Sequence, residues 1–311
     1  MNSILLTFDI EDFINSRSII ALRALLETLR KYDFRALFFV TGHMAERISN
    51  FPDITEMLKV HEIGYHSSSH SVRPTIFEYT DVKNYEEAYE RSIERETSHI
   101  NPLTGKVEGR GGVEFVKELF NREILAYRAP GLCWPAPHLE ALRDLGIKFD
   151  FSSCISPEPV RHIGITFYPH PVLGNWNGTK TDFLVVTRSA FSHRYTIIGA
   201  HESYFVNENM WDSLYHRGNP SKLLEVKQRR PTEINRSFVR FEMLLKQLSL
   251  LVETRLIEVT STLTPAARQL DIEKVDFERC YSSSFHWAEQ YFSYIPRFQR
   301  SHFLKFLMNA E

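Results

Sequence analysis

The chain has 311 residues, 43% of them hydrophobic and 13% aromatic, which is enough to bury a large core as one barrel-sized domain or as one domain with an appendage. A formal net charge of −2 without a basic stripe argues against nucleic acid as a partner, and the three cysteines, which lack metal-type spacing, indicate buried thiols in a reducing compartment. Because no export leader precedes the acidic residues that begin at position 9, and no apolar run approaches the length of a bilayer, we expect a cytoplasmic protein without a membrane span.

Strands and helices alternate over the first 70 residues. Hydrophobic patterning predicts strands at 3–8, 36–41 and 62–65, a helix at 18–32, and a second helix at 42–49. The segment 36–41 is apolar throughout, as is typical of a strand buried on both faces. Alternating β and α units imply a parallel sheet or barrel.

The pattern is less regular after residue 70. Residues 71–125 are expected to be mostly helical, and residues 156–195 irregular. The remaining predicted elements are strands at 124–127, 147–151, 195–200 and 256–260 and helices at 137–145 and 236–250. The sequence therefore predicts one β/α domain over residues 1–262.

The last part of the chain, residues 263–311, has a different composition. It is rich in aromatic residues, and we interpret it as a C-terminal helical appendage packed on one side of the main domain. A dimer contact, or a surface that faces lipid or a partner, is the alternative. The oligomeric state stays open.

Acidic and histidine side chains follow two of the predicted strands. Asp9, Glu11 and Asp12 come at the end of the first strand, and His66 and His70 follow the third. In a parallel α/β fold the carboxyl ends of the strands share one face, and that face carries the site. Two imidazoles and one carboxylate leave an open position on a divalent metal for water or substrate, which is the pattern of a catalytic metal site. The remaining acid could act as a general base, whereas the alternative interpretation is a helix cap beside a surface HxxxH.

Five short motifs, in this order, resemble those of the polysaccharide deacetylases of the NodB-homology type, a carbohydrate esterase 4-like family. The match is clearest to a branch whose first motif reads D-x-E-D, and it spans about residues 3–262. The motifs are Thr7-Phe8-Asp9-Ile10-Glu11-Asp12, His61-Glu62-Ile63-Gly64-Tyr65-His66-Ser67-Ser68-Ser69-His70, Tyr127-Arg128-Ala129-Pro130-Gly131, Asp150-Phe151-Ser152-Ser153 and Ile197-Ile198-Gly199-Ala200-His201. The resemblance implies a distorted parallel β/α barrel of about seven strands with the motifs on one rim.

The resemblance also implies catalytic roles for four residues. Asp9 would be the general base, and Arg128 would pair with Asp9 and keep it ionised. Asp150 would support this network or the acid, and His201 would protonate the leaving amine. The alternatives are an ordinary surface arginine at 128 and a satisfied core histidine at 201.

The metal ligands implied by the resemblance are His66 and His70 with either Asp12 or Glu11. The expected ion is Zn²⁺, with Co²⁺ or Ni²⁺ as alternatives. A backbone N–H near Gly131 would stabilise the tetrahedral oxyanion.

Aromatic residues near the motifs could bind the sugar. Pro130, Gly131 and Trp134 are expected to bind the substrate, and Trp134 could stack on a sugar face, as could Trp176 and Trp211. The alternative for each tryptophan is a place in the core or at an interface.

Two positions depart from the family pattern. Glu202 follows His201 where the family usually has proline; it could raise the pKa of His201 or be a surface acid. Phe151 stands between Asp150 and the Ser-Ser pair, so strand parity would direct Asp150 to the other face of the sheet unless a bulge corrects it.

The sequence thus favours a metal-dependent hydrolase that removes an N-acetyl group from an amino sugar or sugar conjugate in surface-polysaccharide metabolism. A related hydrolase of another C–N bond, such as that of a cyclic ureide, is one alternative. A non-catalytic carbohydrate-binding barrel is the other.

Overall fold

The computed structural model describes residues 2–152, 155–172, 178–292, 294 and 296–308, without the side chains of 283, 284 and 287–292. The strands, numbered in chain order, are β1 (Asn2–Ile10), β2 (Leu37–Val40), β3 (Glu62–Tyr65), β4 (Ser98–Ile100), β5 (Val107–Arg110), β6 (Ala126–Tyr127), β7 (Phe149–Asp150), β8 (Val160–His162), β9 (Ile165–Phe167), β10 (Tyr195–His201) and β11 (Ile257–Val259). The helices are α1 (Ser16–Lys31), α2 (Gly42–Ile48), α3 (Pro52–Leu58), α4 (Ile76–Thr80), α5 (Tyr85–Glu96), α6 (Gly112–Phe120), α7 (Ala136–Asp144), α8 (Lys180–Ser192), α9 (Pro231–Glu253), α10 (Phe277–Phe292) and α11 (Gln299–Met308).

One curled sheet forms the centre of the molecule. Its strands run in the order β10-β1-β2-β3-β6-β7-β9-β8, with β11 beside β1, and the pairs are parallel except β8 with β9. The two ends of the parallel path approach each other: Val172 N donates to Ile197 O at 3.0 Å, and the rings of Tyr168 and Tyr195 are 5.7 Å apart. The predicted fold class, a distorted parallel β/α barrel, is confirmed.

Side chains along β1 alternate between the inside and the outside of the curled sheet. Leu6 and Phe8 belong to the larger core, between the sheet and the helices, whereas Leu5 belongs to the inner cluster. Thr7 and Asp9 have the same parity as Leu5 and continue the inner row toward the carboxyl end. This alternation brings Thr7 and Asp9 into the barrel at its carboxyl-terminal rim.

The predicted strands of the sheet match the observed ones to within two residues at each end. The hairpin β4–β5 and the strands β8 and β9 lie in segments that were predicted to be helical or irregular. They are three or four residues long, too short for a readable period. Helix α8 was also missed, although Thr179 and Asp182 form a capping box that the sequence contains.

The C-terminal helices α10 and α11 pack against the barrel. The carboxylate of Asp81 accepts hydrogen bonds from Arg297 N at 2.8 Å and Phe298 N at 2.6 Å, next to the start of α11. Phe303 and Phe306 belong to the same hydrophobic core as the strands. The division at residue 262 stays a prediction. No helix among the described residues is long and apolar enough to cross a bilayer.

Candidate active site

Glu11, His66 and His70 converge on one point at the carboxyl-terminal rim. Glu11 Oε2 lies 2.8 Å from His70 Nε2 and 3.3 Å from His66 Nε2, and candidate ligand atoms of the three residues all lie within 4.8 Å of one another. All three side chains are buried, at 5% exposure or less. Burial acts to raise the pKa of Glu11, but the two histidines and His201 outweigh it and hold that pKa well below its usual range. The carboxylate is therefore ionised at neutral pH.

The two histidines sit on a tight loop that follows β3. Ser67 and His70 both have left-handed backbone, with φ of 66° and 47°, which costs energy for a residue with a Cβ. The N-terminus of α2 holds the loop, because Gly42 N donates to Ser67 O at 3.0 Å and His43 N donates to Ser68 O at 3.2 Å. These bonds fix both imidazoles relative to the sheet.

Hydrogen bonds to Nδ1 orient both imidazoles. His66 Nδ1 lies 2.7 Å from the backbone carbonyl of Arg128, which can only accept, so Nδ1 carries the proton and Nε2 has the free lone pair. His70 Nδ1 lies 2.7 Å from Ser71 Oγ, which is 3.5 Å from Asp212 Oδ2. This arrangement directs both Nε2 atoms at Glu11.

Asp9 and Arg128 form a buried ion pair beside this cluster. Arg128 Nη1 donates to Asp9 Oδ1 at 2.8 Å, and Nη2 donates to Thr7 Oγ1 at 2.8 Å. The side chain of Arg128 is 1% exposed, so it is not a surface arginine. Burial acts to raise the pKa of Asp9, but Arg128, followed by His66 and His201, lowers it below the ordinary value. Asp9 is thus an ionised carboxylate whose Oδ1 is engaged by Arg128 and whose Oδ2 faces His201.

His201 stands at the end of β10, directly paired with Asp9 in the β1–β10 register. Its Nε2 lies 3.5 Å from Asp9 Oδ2, and its side chain is 13% exposed, more than Asp9 at 8%. Burial is the largest effect on His201 and leaves its pKa below the ordinary value, although Glu11 and Asp9 act in the other direction. The imidazole is therefore neutral at rest.

Glu202 does not belong to the open part of the site. It is fully buried, and burial raises its pKa well above the usual range, with Asp12 and Glu11 adding to the effect. Neither of its carboxyl oxygens has a hydrogen-bond partner among the described residues. Glu202 is thus neither a surface acid nor the group that keeps His201 charged.

Asp12, one of the two carboxylates left open as a metal ligand, does not belong to the cluster with the two histidines. Its carboxylate accepts hydrogen bonds from Asn15 Nδ2 at 2.8 Å, Asn207 Nδ2 at 2.8 Å and Ser18 Oγ at 2.5 Å. Asp12 also accepts from the backbone at the start of α1. It organises the turn between β1 and α1, and of the two carboxylates only Glu11 approaches the imidazoles.

Asp150 lies on the other face of its strand from Phe149 and Phe151, and its supporting role in catalysis stays a prediction. Phe149 and Phe151 fill the inner cluster, and Asp150 between them takes the opposite parity. Ser152 Oγ donates to Asp150 Oδ1 at 2.7 Å and accepts from Ala129 N at 2.7 Å. Asp150 therefore supports the backbone that follows Arg128, and no bulge corrects the parity.

The predicted sugar-binding tryptophan at 134 is part of the core. Trp134 is 3% exposed and packs on Phe167, Phe303 and Phe306, so it is not available to a substrate. Pro130 and Gly131 form the turn after β6, and their role in substrate binding stays a prediction.

The other two tryptophans differ in position. Trp211 is fully buried, with its ring 5.2 Å from that of His70, so it supports a candidate ligand. Trp176 lies outside the described residues. Sequence analysis missed four residues that support the site: Trp211, Thr7, Asp212 and Glu96. Each of them contacts a site residue, or a neighbour of one, that is distant in sequence.

The donor set fits a divalent metal. Two imidazole Nε2 atoms and one carboxylate suit zinc, cobalt or nickel, and three protein ligands leave a position open. Glu11 Oε1 is buried without a hydrogen-bond partner among the described residues, and a cation would satisfy it. Among the residues that the structure describes, Glu11, His66 and His70 are the one group of three or more acidic, histidine or cysteine side chains close enough together to hold an ion.

A family comparison agrees with the motifs. Residues 1–149 match the family model of polysaccharide deacetylase, which confirms the resemblance. The branch with the D-x-E-D first motif stays a prediction. No curated protein matches the sequence.

Several solved structures are similar at low identity. A family 4 carbohydrate esterase from Streptomyces lividans in complex with acetate is 12% identical, with 84% of this chain and 92% of that chain covered and a TM-score of 0.43. The catalytic domain of a peptidoglycan N-acetylglucosamine deacetylase from Eubacterium rectale is 15% identical, with 86% and 91% covered and a TM-score of 0.42.

A CE4 family pseudoenzyme from Bacillus anthracis is also similar. It is 14% identical, with 65% of this chain and 55% of that chain covered and a TM-score of 0.37. A mutant CE4 family pseudoenzyme with restored enzymatic activity is 13% identical, with 83% and 65% covered and a TM-score of 0.42. The chain thus spans less than two thirds of these pseudoenzyme chains. With TM-scores below 0.5, none of these similarities carries a conclusion about activity or substrate.

Proposed function

We propose that this protein is a metal-dependent amide hydrolase that removes the N-acetyl group of an amino sugar or sugar conjugate. The observation that carries the proposal is the adjacency of two units at one rim: the Glu11–His66–His70 donor set and the Arg128–Asp9 pair with His201 beside it. The family match over residues 1–149 supports the reaction type. The substrate class, the metal dependence and zinc as the native ion are parts of the proposal.

The donor set would supply the electrophilic half of the chemistry. Glu11, His66 and His70 would hold a divalent ion, which when bound polarises an amide carbonyl and lowers the pKa of water. The buried, ionised Glu11 and the fixed Nε2 lone pair of His66 aim two ligand atoms at one point. Glu11 raises the pKa of His70, so His70 Nε2 would release its proton to the solvent when a cation binds.

Asp9 would supply the base. Arg128 occupies Oδ1, so Oδ2 is the oxygen that takes a proton from water as the water oxygen adds to the amide carbon. Because Arg128 lowers the pKa of Asp9, the carboxylate is fully available at neutral pH. A carboxylate with a lowered pKa is a weaker base, so the water that it deprotonates must have a lowered pKa too.

His201 would return the proton to the leaving nitrogen. A neutral imidazole at rest has to be charged before it acts as an acid, and the 3.5 Å gap between Asp9 Oδ2 and His201 Nε2 allows the proton to pass between them. When the C–N bond breaks, the nitrogen takes this proton and leaves as the amine, while the acetyl group leaves as acetic acid, which releases the second proton of the water to solvent and becomes acetate. No net proton is gained or lost by the two residues.

The experiment is to purify the wild-type protein without added metal, measure its metal content, and assay acetate release from N-acetylglucosamine oligosaccharides. About one equivalent of a divalent transition metal and acetate released in step with free amine are expected. Glu11→Gln should lose both metal and activity. Metal-free wild-type protein that also releases no acetate after zinc, cobalt or nickel is added would overturn the proposal in favour of a non-catalytic barrel.

A further inference from the structure

A buried carboxylate on α5 lies behind the histidine loop, outside the cluster described above. Glu96 is 2% exposed and is the last residue of α5. Its carboxylate accepts hydrogen bonds from Tyr65 Oη at 2.5 Å, Tyr79 Oη at 3.3 Å and Ser68 N at 2.8 Å. His138 Nε2 lies 2.9 Å from the same carboxylate. A buried carboxylate is stable only when such partners satisfy it. Four contacts on one carboxylate therefore indicate a residue with a defined task.

The two oxygens of Glu96 serve different parts of the molecule. Oε2 accepts from Tyr65 and Ser68, which lie on either side of His66 in the chain. Oε1 is bonded to Tyr79 on α4 and contacts His138 on α7. Glu96 thus ties the histidine loop to two helices of the outer layer.

The loop needs such a tie because its backbone is strained. The left-handed conformations of Ser67 and His70 persist only where surrounding contacts enforce them. A Cβ at Gly42 would lie 2.9 Å from Ser68 O, so the loop is pressed against the N-terminus of α2 on one side. Glu96 holds the same Ser68 from the other side through its N–H.

We infer that Glu96 is a positioning residue that holds the 66–70 loop in the geometry where both imidazoles share one ion. The inference rests on the proposed function and names a residue outside the five motifs. Groups that hydrogen-bond a metal ligand directly usually matter about 10–100-fold in metal affinity. Glu96 lies one contact further out, because it bonds Tyr65 and Ser68 and neither imidazole.

The test compares two hydroxyl deletions on the same carboxylate. Tyr65→Phe removes a bond to Oε2 on the loop side, and Tyr79→Phe removes a bond to Oε1 on the helix side. Both variants keep an aromatic ring, so the core packing is matched. Co²⁺ affinity is measured by competition with a chelator, the visible spectrum of bound Co²⁺ reports ligand geometry, and hydrogen exchange of residues 66–71 is followed in metal-free protein.

Tyr65→Phe should weaken Co²⁺ binding about tenfold, change the cobalt spectrum and speed exchange in the loop, whereas Tyr79→Phe should leave all three near wild type. Glu96→Gln should weaken binding at least as much as Tyr65→Phe and by no more than about 100-fold, the upper end of the range for groups that bond a metal ligand directly. Equal behaviour of the two tyrosine variants would overturn the inference while leaving the proposed function intact. Wild-type protein that binds no Co²⁺ would overturn the proposed function, and the exchange rates would still decide whether Glu96 anchors the loop.

Discussion

Arg128 reaches across the barrel to Asp9, from the residue after β6 to the carboxyl end of β1. Its guanidinium is 2.8 Å from Asp9 Oδ1 and lies over the ring of Phe39, with Cζ 4.4 Å from the ring centroid. Residues 119 positions apart in the chain thereby form one buried pair. This pair sets the protonation state of the proposed base, and its removal has a defined effect on pH dependence.

Arg128→Gln should move the acidic limb of the kcat/KM profile to higher pH. Burial acts to raise the pKa of Asp9 and Arg128 opposes it, so loss of the guanidinium raises that pKa. A base must be ionised, so activity is lost at a higher pH than in wild type. The same ion pair makes the free energy of unfolding depend on pH. Because the folded-state pKa of Asp9 is lowered, the pair stabilises the wild-type protein above the unfolded-state pKa, and this stabilisation is lost as the pH falls. An unchanged acidic limb would show that another group is the base.

Asp9→Asn should keep the metal and lose hydrolysis. The amide is nearly isosteric but cannot take a proton from water, and general-base assistance is worth about 10²–10⁴-fold. Metal content and acetate release are measured on the same preparation. Substantial turnover by this variant would move the base role to another residue.

Asp12→Asn and Glu11→Gln should separate the two neighbouring carboxylates. Asp12→Asn would leave donors from Ser18 and Asn207 facing an amide N–H₂, at a cost of about 1–3 kcal/mol in stability, with the metal retained. Glu11→Gln should instead lose metal affinity with a smaller effect on thermal stability. Calorimetry and metal analysis check the pair, and the opposite pattern would return Asp12 to the metal.

His201→Ala should slow amide hydrolysis more than ester hydrolysis. A leaving amine needs a proton, whereas the phenolate of 4-nitrophenyl acetate leaves without one. In the variant, kcat for an N-acetyl sugar should fall far more than kcat for the ester, with KM little changed. Equal losses on both substrates would mean that His201 only shapes the site.

Glu202→Gln should stabilise the protein at neutral pH. Burial raises the folded-state pKa of Glu202 well above its ordinary 4.5. The wild-type protein is therefore not destabilised by Glu202 below about pH 4.5, and it loses stability as the pH rises from there toward the folded-state pKa. A neutral amide avoids this loss, so the gain in Tm should be near zero at about pH 4 and grow toward neutral pH. The matched control is Glu90→Gln at an exposed position, where no such trend is expected.

Local patterns were enough to predict much of the fold and part of the site. Alternating apolar strands and amphipathic helices implied the parallel barrel, and polar residues at strand ends implied a site on its carboxyl rim. Asp9, His66 and His70 could be proposed because they stand at the ends of readable strands, whereas Arg128 and His201 were proposed from the family resemblance. Strand parity, applied to the Phe149–Phe151 run, also raised the objection to Asp150 that the structure bears out.

The sequence by itself thus determined which strands deliver polar side chains to the rim, since that information is written in the order of neighbouring residues. Only the tertiary structure decided between Glu11 and Asp12, because β1 ends at Ile10 and side-chain direction beyond it depends on how the turn into α1 is bonded. The same limit hid Glu96, which is 28 residues from Ser68. Trp134 likewise is buried in the core because helix α11 covers it, and the sequence of α11 does not indicate which residues its aromatic side chains will contact. A contact between distant segments follows from the packing of the whole chain, and no local pattern contains it.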